Sequence, residues 1–189
     1  MSPSAMRMSP LNDETMNEAQ RAAAHELIAG PRKGVKGPFI ALLRSPELMA
    51  RVQKVGEYLR FNSKVPRRLS EFATLIVARV WTQQFEWFMH VPLALEAGTS
   101  QETIDALRDG RRPSSLSSDE SAVFDFTMQL LEQHGVGDAT YQECVDRLGE
   151  QGVVDLTCIV GYFEMISMVL NMARIPHEPN AAITPLAPL

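Results

Sequence analysis

The chain is short of cysteine, of excess positive charge and of strand-like alternation, and each shortage excludes something. Two cysteines in 189 residues, Cys144 and Cys158, are too few for a disulfide framework and too far apart for a CxxC redox pair. A reducing, cytoplasmic location is the simpler expectation. A formal charge of −5 argues against a nucleic-acid binder, which needs a basic face to neutralise phosphates. The opening MSPSAMRMSPLNDE has no apolar run of the kind a secretory signal requires. The most apolar stretch, 152–175, contains Asp155, Glu164 and Asn171, and so reads as a buried helix rather than a membrane span. GPRKGVKG lacks the Gly-Lys-Ser/Thr ending of a phosphate-binding loop. Glu71, Glu86 and His90 could in principle hold a metal, but with no HExxH motif or cysteine cluster no metal is expected.

Period-2 alternation is sustained nowhere, and no hairpin turn separates alternating runs. An all-α single domain of about eight helices is therefore expected. The 45% hydrophobic and 22% charged content is ordinary for a globular core. Residues 1–11 read as a flexible tail, 12–175 as the helical domain and 176–189 as a proline-rich tail. Asn12 or Asp13 is expected to cap a first helix ending at Gly30-Pro31. The segment from Pro31 to Pro46 reads as an ordered loop that lays Phe39, Ile40, Leu42 and Leu43 on the core, its Arg32, Lys33 and Lys36 solvated. Helices then follow from Pro46, from Pro66 and from beyond Thr82. Thr99 with Glu102, and Ser117 with Glu120, each suggest a capping box. Asp138 is expected to cap a seventh helix, and a long last helix spans about 153–173.

Ionisable residues concentrate in EFATLIVARVWTQQFEWFMH, residues 71–90, where a core would ordinarily exclude them. Glu86 and His90 are four apart and share a helix face. Their neighbours Phe85, Trp87, Phe88, Met89 and Val91 predict burial, and a buried charge needs a partner. A carboxylate beside an imidazole in such surroundings suits proton transfer. Arg79 is read first as an ion-pair partner of Glu71 or another acid, and second as an anchor for a substrate carboxylate. Glu164, inside an otherwise apolar helix, needs a partner in the pocket or in Arg79, with Tyr162 close enough to join it. Pro92 should bend its helix one turn after His90. His25 and His134 are explained by helix ends, and His177 has no evident partner.

The same stretch resembles the carboxymuconolactone decarboxylase / AhpD-like family, whose signature is Glu, eleven residues, Cys, two residues, Cys, three residues, His. Its Glu falls on Glu71 and its His on His90, while the two cysteine positions hold Gln83 and Glu86. The similarity continues through HVPLALEAGTSQETIDAL. It implies an AhpD-like helical fold, cofactor-free chemistry and a homo-oligomer, commonly a trimer or hexamer, acting on a small-molecule substrate. Without the cysteine pair, the chain looks like the decarboxylase branch: an acid–base enzyme for a small carboxylated lactone or related cyclic acid. His90 is then the expected proton donor, Glu86 sets its tautomer and pKa, and Glu71 completes the relay. Gln83, Arg79, Trp87, Glu164 and Tyr162 are candidate substrate-binding residues. Two alternatives compete. An AhpD-like, peroxiredoxin-type alkylhydroperoxidase is disfavoured by the missing thiols. A non-catalytic helical oligomer would be favoured by a closed pocket with no room for a ligand.

Overall fold

A computed structural model describes residues 5–178 and 180–187, so the outermost parts of the two expected tails lie outside the described residues. Among the described residues there are eight helices and no strand: α1 Glu18–Ala29, α2 Pro38–Leu42, α3 Pro46–Phe61, α4 Arg67–Val80, α5 Gln84–Glu96, α6 Gln101–Arg108, α7 Ser118–Gln133 and α8 Asp138–Ala173. The expected number is met, with two substitutions. The short α2 stands where an ordered loop was expected, because Pro38 presets its first turn. The expected seventh and eighth helices follow one another within α8, separated by a kink at Gly149, whose φ of 69° and ψ of 168° are not helical.

Helix α4 is the axis of the molecule. Leu69 and every residue from Glu71 to Arg79 are buried, and α4 packs against α5, α6, α7 and α8. That is the packing expected of a helix apolar on nearly all sides. Phe72, Leu75, Val77 and, across the interface, Leu156, Ile159 and Leu170 of α8 are all but fully enclosed. Asp155 of α8 accepts hydrogen bonds from the Lys64 backbone N–H at 2.7 Å and the Tyr58 hydroxyl at 3.2 Å, tying α8 to the turn between α3 and α4. By length and composition α8 could cross a membrane, but 56% of its most apolar window is buried within the bundle.

Several expected helix ends are displaced. Asn17, not Asn12 or Asp13, caps α1 in a capping box with Gln20; Asn12 instead closes a local turn with Thr15. Ser100 caps α6, and Thr99 is buried beside it, so Thr99 and Glu102 form no box. Gly137 takes the cap position of α8, leaving Asp138 as its first residue. The Ser117–Glu120 box forms as expected. Thr82 does separate α4 from α5, at φ 46°. Helix α5 runs through Pro92 to Glu96 as one element, and the proline is exposed.

Both flanking segments lie against the body. Arg7 donates from its backbone N–H to Ala173 O at 2.9 Å, and Met6, Met8 and Leu11 pack on the core. At the other end Ile183 and Leu186 are buried. Gln84 makes a paired contact with Leu186, donating to its carbonyl at 2.7 Å and accepting from its N–H at 3.1 Å. Extended backbone exposes its amides every second residue, and a glutamine side chain offers the matching donor and acceptor.

Candidate functional site

Glu71 lies in the second turn of α4 and His90 in the second half of α5, and the tight corner at Thr82 folds one helix back on the other. This brings Glu71 Oε2 to 2.6 Å from His90 Nδ1. The other ring nitrogen, Nε2, lies 3.2 Å from Glu86 Oε2, one turn earlier on α5. All three side chains are buried, their relative exposures between 5% and 9%. The Phe163 ring meets the imidazole edge-on at 5.0 Å between centroids and closes its flank.

Burial alone would push the His90 pKa down, since it disfavours the charged ring. Hydrogen bonds to Glu71 and Glu86, with the charges of both carboxylates, outweigh it and raise the pKa to about 9. His90 is thus an imidazolium at neutral pH, with each N–H facing a carboxylate. Such a group stores a proton in a water-poor place and can release it when a basic centre approaches.

Glu86 and His90 open onto a cavity of about 270 Å³, and Glu71 lies behind them. The segment from Pro31 to Pro38, the start of α2, the end of α3, α5 and α8 each contribute a wall. Phe85, Met89, Phe163 and Ile166 give it an apolar lining; Arg32, Lys36, Arg60 and Tyr162 give it polar groups. Gly37, at φ 55°, is required on the α2 side: a Cβ there would fall 2.3 Å from the Phe85 ring.

Of the other sequence-derived site residues, only Tyr162 lines this cavity. Gln83 is spent on structure, capping α5 through the Phe85 N–H at 2.6 Å and donating to Asn171 at 2.8 Å. Arg79 pairs neither with Glu71 nor with Glu164; it donates to the Ala187 carbonyl at 2.6 Å on the far side of α4. Trp87 points away and donates to the Thr184 carbonyl at 3.0 Å. The partner of Glu164 is the indole N–H of Trp81, at 3.2 Å. His177 is stacked on Phe88, with centroids 4.2 Å apart.

The residues that sequence reasoning missed are the cations. Arg32, expected to be solvated, is half-buried at the cavity, which Arg60 and the exposed Lys36 also border. Their signal was a run of three basic residues between glycines and prolines, beside an otherwise apolar core segment. Among the described residues no cluster of three or more His, Cys, Asp or Glu side chains is arranged to hold a metal ion. Neither cysteine is at the cavity: Cys144 is buried against the Ala122 carbonyl between α7 and α8, and Cys158 is exposed on α8. Burial, with the nearby Glu143, pushes the Cys144 thiol up to about 11.

Residues 46–129, which carry all three members of the carboxylate–histidine cluster, match the model of the carboxymuconolactone decarboxylase family. No curated protein gives a significant match. Among solved structures, the fold is similar to that of an Agrobacterium tumefaciens protein described as of unknown function and as a proposed antioxidant defence protein AhpD. The TM-score is 0.66 at 17% identity, over 74% of this chain and 96% of that one. The all-α architecture is therefore AhpD-like, and residues 46–129 are similar to the carboxymuconolactone decarboxylase family, whose motif the spacing of Glu71 and His90 resembles.

Proposed function

We propose that the protein is a cofactor-independent acid–base enzyme of the carboxymuconolactone decarboxylase type, acting on a small carboxylated lactone or related cyclic acid. The observation that carries this reading is the buried His90, held between Glu71 and Glu86 at the wall of a cavity that no cysteine reaches. In the proposed reaction the substrate carboxylate leaves as CO2, and its bonding electron pair passes into a neighbouring lactone or carbonyl group. The carbon left electron-rich takes the Nε2 proton of His90, and the neutral imidazole is reprotonated from solvent through Glu86. Glu71, on Nδ1, keeps the ring oriented and basic. The apolar lining excludes water, which would otherwise compete for the proton.

A peroxidase reading lacks its nucleophile, since the thiolate would have to come from Cys144 or Cys158. The non-catalytic oligomer is disfavoured by a cavity large enough for a small cyclic acid. A homo-oligomer remains part of the proposal, trimer or hexamer, supported by exposed apolar side chains such as Leu48, Val55, Val80 and Leu95.

The test is a turnover and exchange screen in D2O. Wild type and His90→Gln are incubated with carboxylated lactones and β-keto acids, and CO2 release and deuterium incorporation are followed by NMR. Wild type should turn over or exchange at least one compound, with loss in His90→Gln. Activity retained by folded His90→Gln, or peroxide reduction that depends on a cysteine, would overturn the assignment.

A further inference from the structure

The cations at the cavity have no counterpart in the proton relay. One terminal nitrogen of Arg32, Nη2, is buried and has no hydrogen-bond acceptor. Neither Arg32 nor Arg60 forms an ion pair among the described residues, although nine of the twelve ion pairs found there involve an arginine. Arg32 is half-buried, and a buried N–H of a guanidinium left without an acceptor is costly.

The surroundings hold Arg32 in place. Its guanidinium lies over the Phe39 ring at 4.5 Å, which fixes its plane. Gly56, in the interior of α3, clears the space beside it: a Cβ there would stand 2.2 Å from the Tyr162 hydroxyl and 2.8 Å from Arg32 Nη2. Glycine inside a helix is less favourable than alanine, and here it lets a phenol and a guanidinium meet at the cavity floor. Burial holds the Arg32 pKa below its ordinary value, offset in part by Tyr162, while Arg60 pushes the same way as burial. Burial also raises the Tyr162 pKa, so its hydroxyl remains a neutral donor.

We propose that Arg32 and Tyr162 form a carboxylate-binding subsite, which anchors one carboxylate of a small organic acid inside the cavity that also holds Glu86 and His90. The subsite rests on the proposed function only in sharing that cavity. It makes Arg32 a specificity-determining residue: the ligand must carry an anionic group and a small apolar body. Arg60 and Lys36, on the same walls, add attraction without needing contact. Phe85 and Ile166 receive the body of the ligand.

The test is binding without turnover. Isothermal titration calorimetry is run with γ-carboxy-γ-butyrolactone as its carboxylate, with the methyl ester of that lactone, and with inorganic phosphate. The proteins are wild type, Arg32→Gln, Arg32→Lys and, as a charge control on the exposed face of α3, Arg51→Gln. The carboxylate should bind wild type and Arg51→Gln alike. It should bind Arg32→Gln about tenfold or more weakly, as expected on losing a charge-assisted hydrogen bond. Arg32→Lys should fall between the two, because it keeps the charge but not the fork. The ester should lose a similar factor on wild type.

Equal binding of acid and ester, no binding of the acid to wild type at millimolar concentration, or full affinity in folded Arg32→Gln or Arg32→Lys each overturns the subsite. Phosphate binding as tightly as the lactone carboxylate overturns its assignment to carboxylates. Arg32-dependent binding in a protein that shows no exchange chemistry would leave the subsite standing and remove the relay. Exchange chemistry indifferent to Arg32 would do the reverse.

Discussion

His90 Nδ1 and Glu71 Oε2 lie 2.6 Å apart across two helices and nineteen residues of sequence, and this contact is shorter than that between His90 and its own-helix partner Glu86. The tertiary fold, rather than the local helix, supplies the stronger hold on the ring.

Glu71→Gln should therefore disturb His90 more than Glu86→Gln does. Removing the shorter charge-assisted bond is expected to cost about 1.5–3 kcal/mol of stability, measured by urea unfolding. An NMR titration should show the His90 pKa falling from about 9 toward the ordinary 6.5, and falling further in Glu71→Gln than in Glu86→Gln.

The raised pKa links His90 to stability. Folding favours the protonated ring, so its contribution is complete below pH 6.5 and is lost as the pH rises through about 9. Chemical denaturation of wild type between those values should show this loss, and His90→Gln should lack that component. On the proposed function, proton donation by the imidazolium gives an alkaline limb in turnover near the same pH.

Phe72 is fully enclosed where α4 meets its neighbours. Phe72→Ala is expected to cost about 3–5 kcal/mol, against little for Phe61→Ala, whose side chain is 59% exposed at the cavity rim. Thermal or urea unfolding of the two variants checks the contrast.

Gly56→Ala separates packing from binding. Its methyl group would push into the Tyr162 hydroxyl and Arg32 Nη2 rather than into backbone. The helix itself gains from alanine, by about 1 kcal/mol at most. Loss of cavity binding with little loss of unfolding free energy is the expected pattern, read by calorimetry on the same preparation.

How much of this was legible in the sequence depends on what kind of geometry each residue obeys. Glu86 and His90 follow from one helical turn, and Glu71 from the family spacing. Those three converge. Arg79 failed because eight residues advance a helix by about 800°, leaving it about 80° away from Glu71; that turn carries it to the Ala187 carbonyl. Glu164 failed in the same way. Tyr162, Phe163 and Ile166 share the cavity face of α8, and Glu164 is about 200° from Tyr162 around that helix, at Trp81. Gln83 and Trp87 sit next to Glu86 and His90 in sequence but are consumed by the corner and by the Thr184 carbonyl. Arg32 and Arg60 could not be placed at all, because the loop before α2 and the end of α3 reach the cavity only through the tertiary packing of α2 and α3 on α8.

The two cysteines, neither of which lines the cavity, divide cleanly for another purpose. Cys144 is shielded, with its thiol held protonated to about pH 11, while Cys158 is exposed one helical turn before Tyr162. A maleimide dye at neutral pH should attach at Cys158 alone. The unaltered chain thus carries a single labelling position near the cavity, from which ligand entry can be followed by fluorescence without introducing or removing a residue.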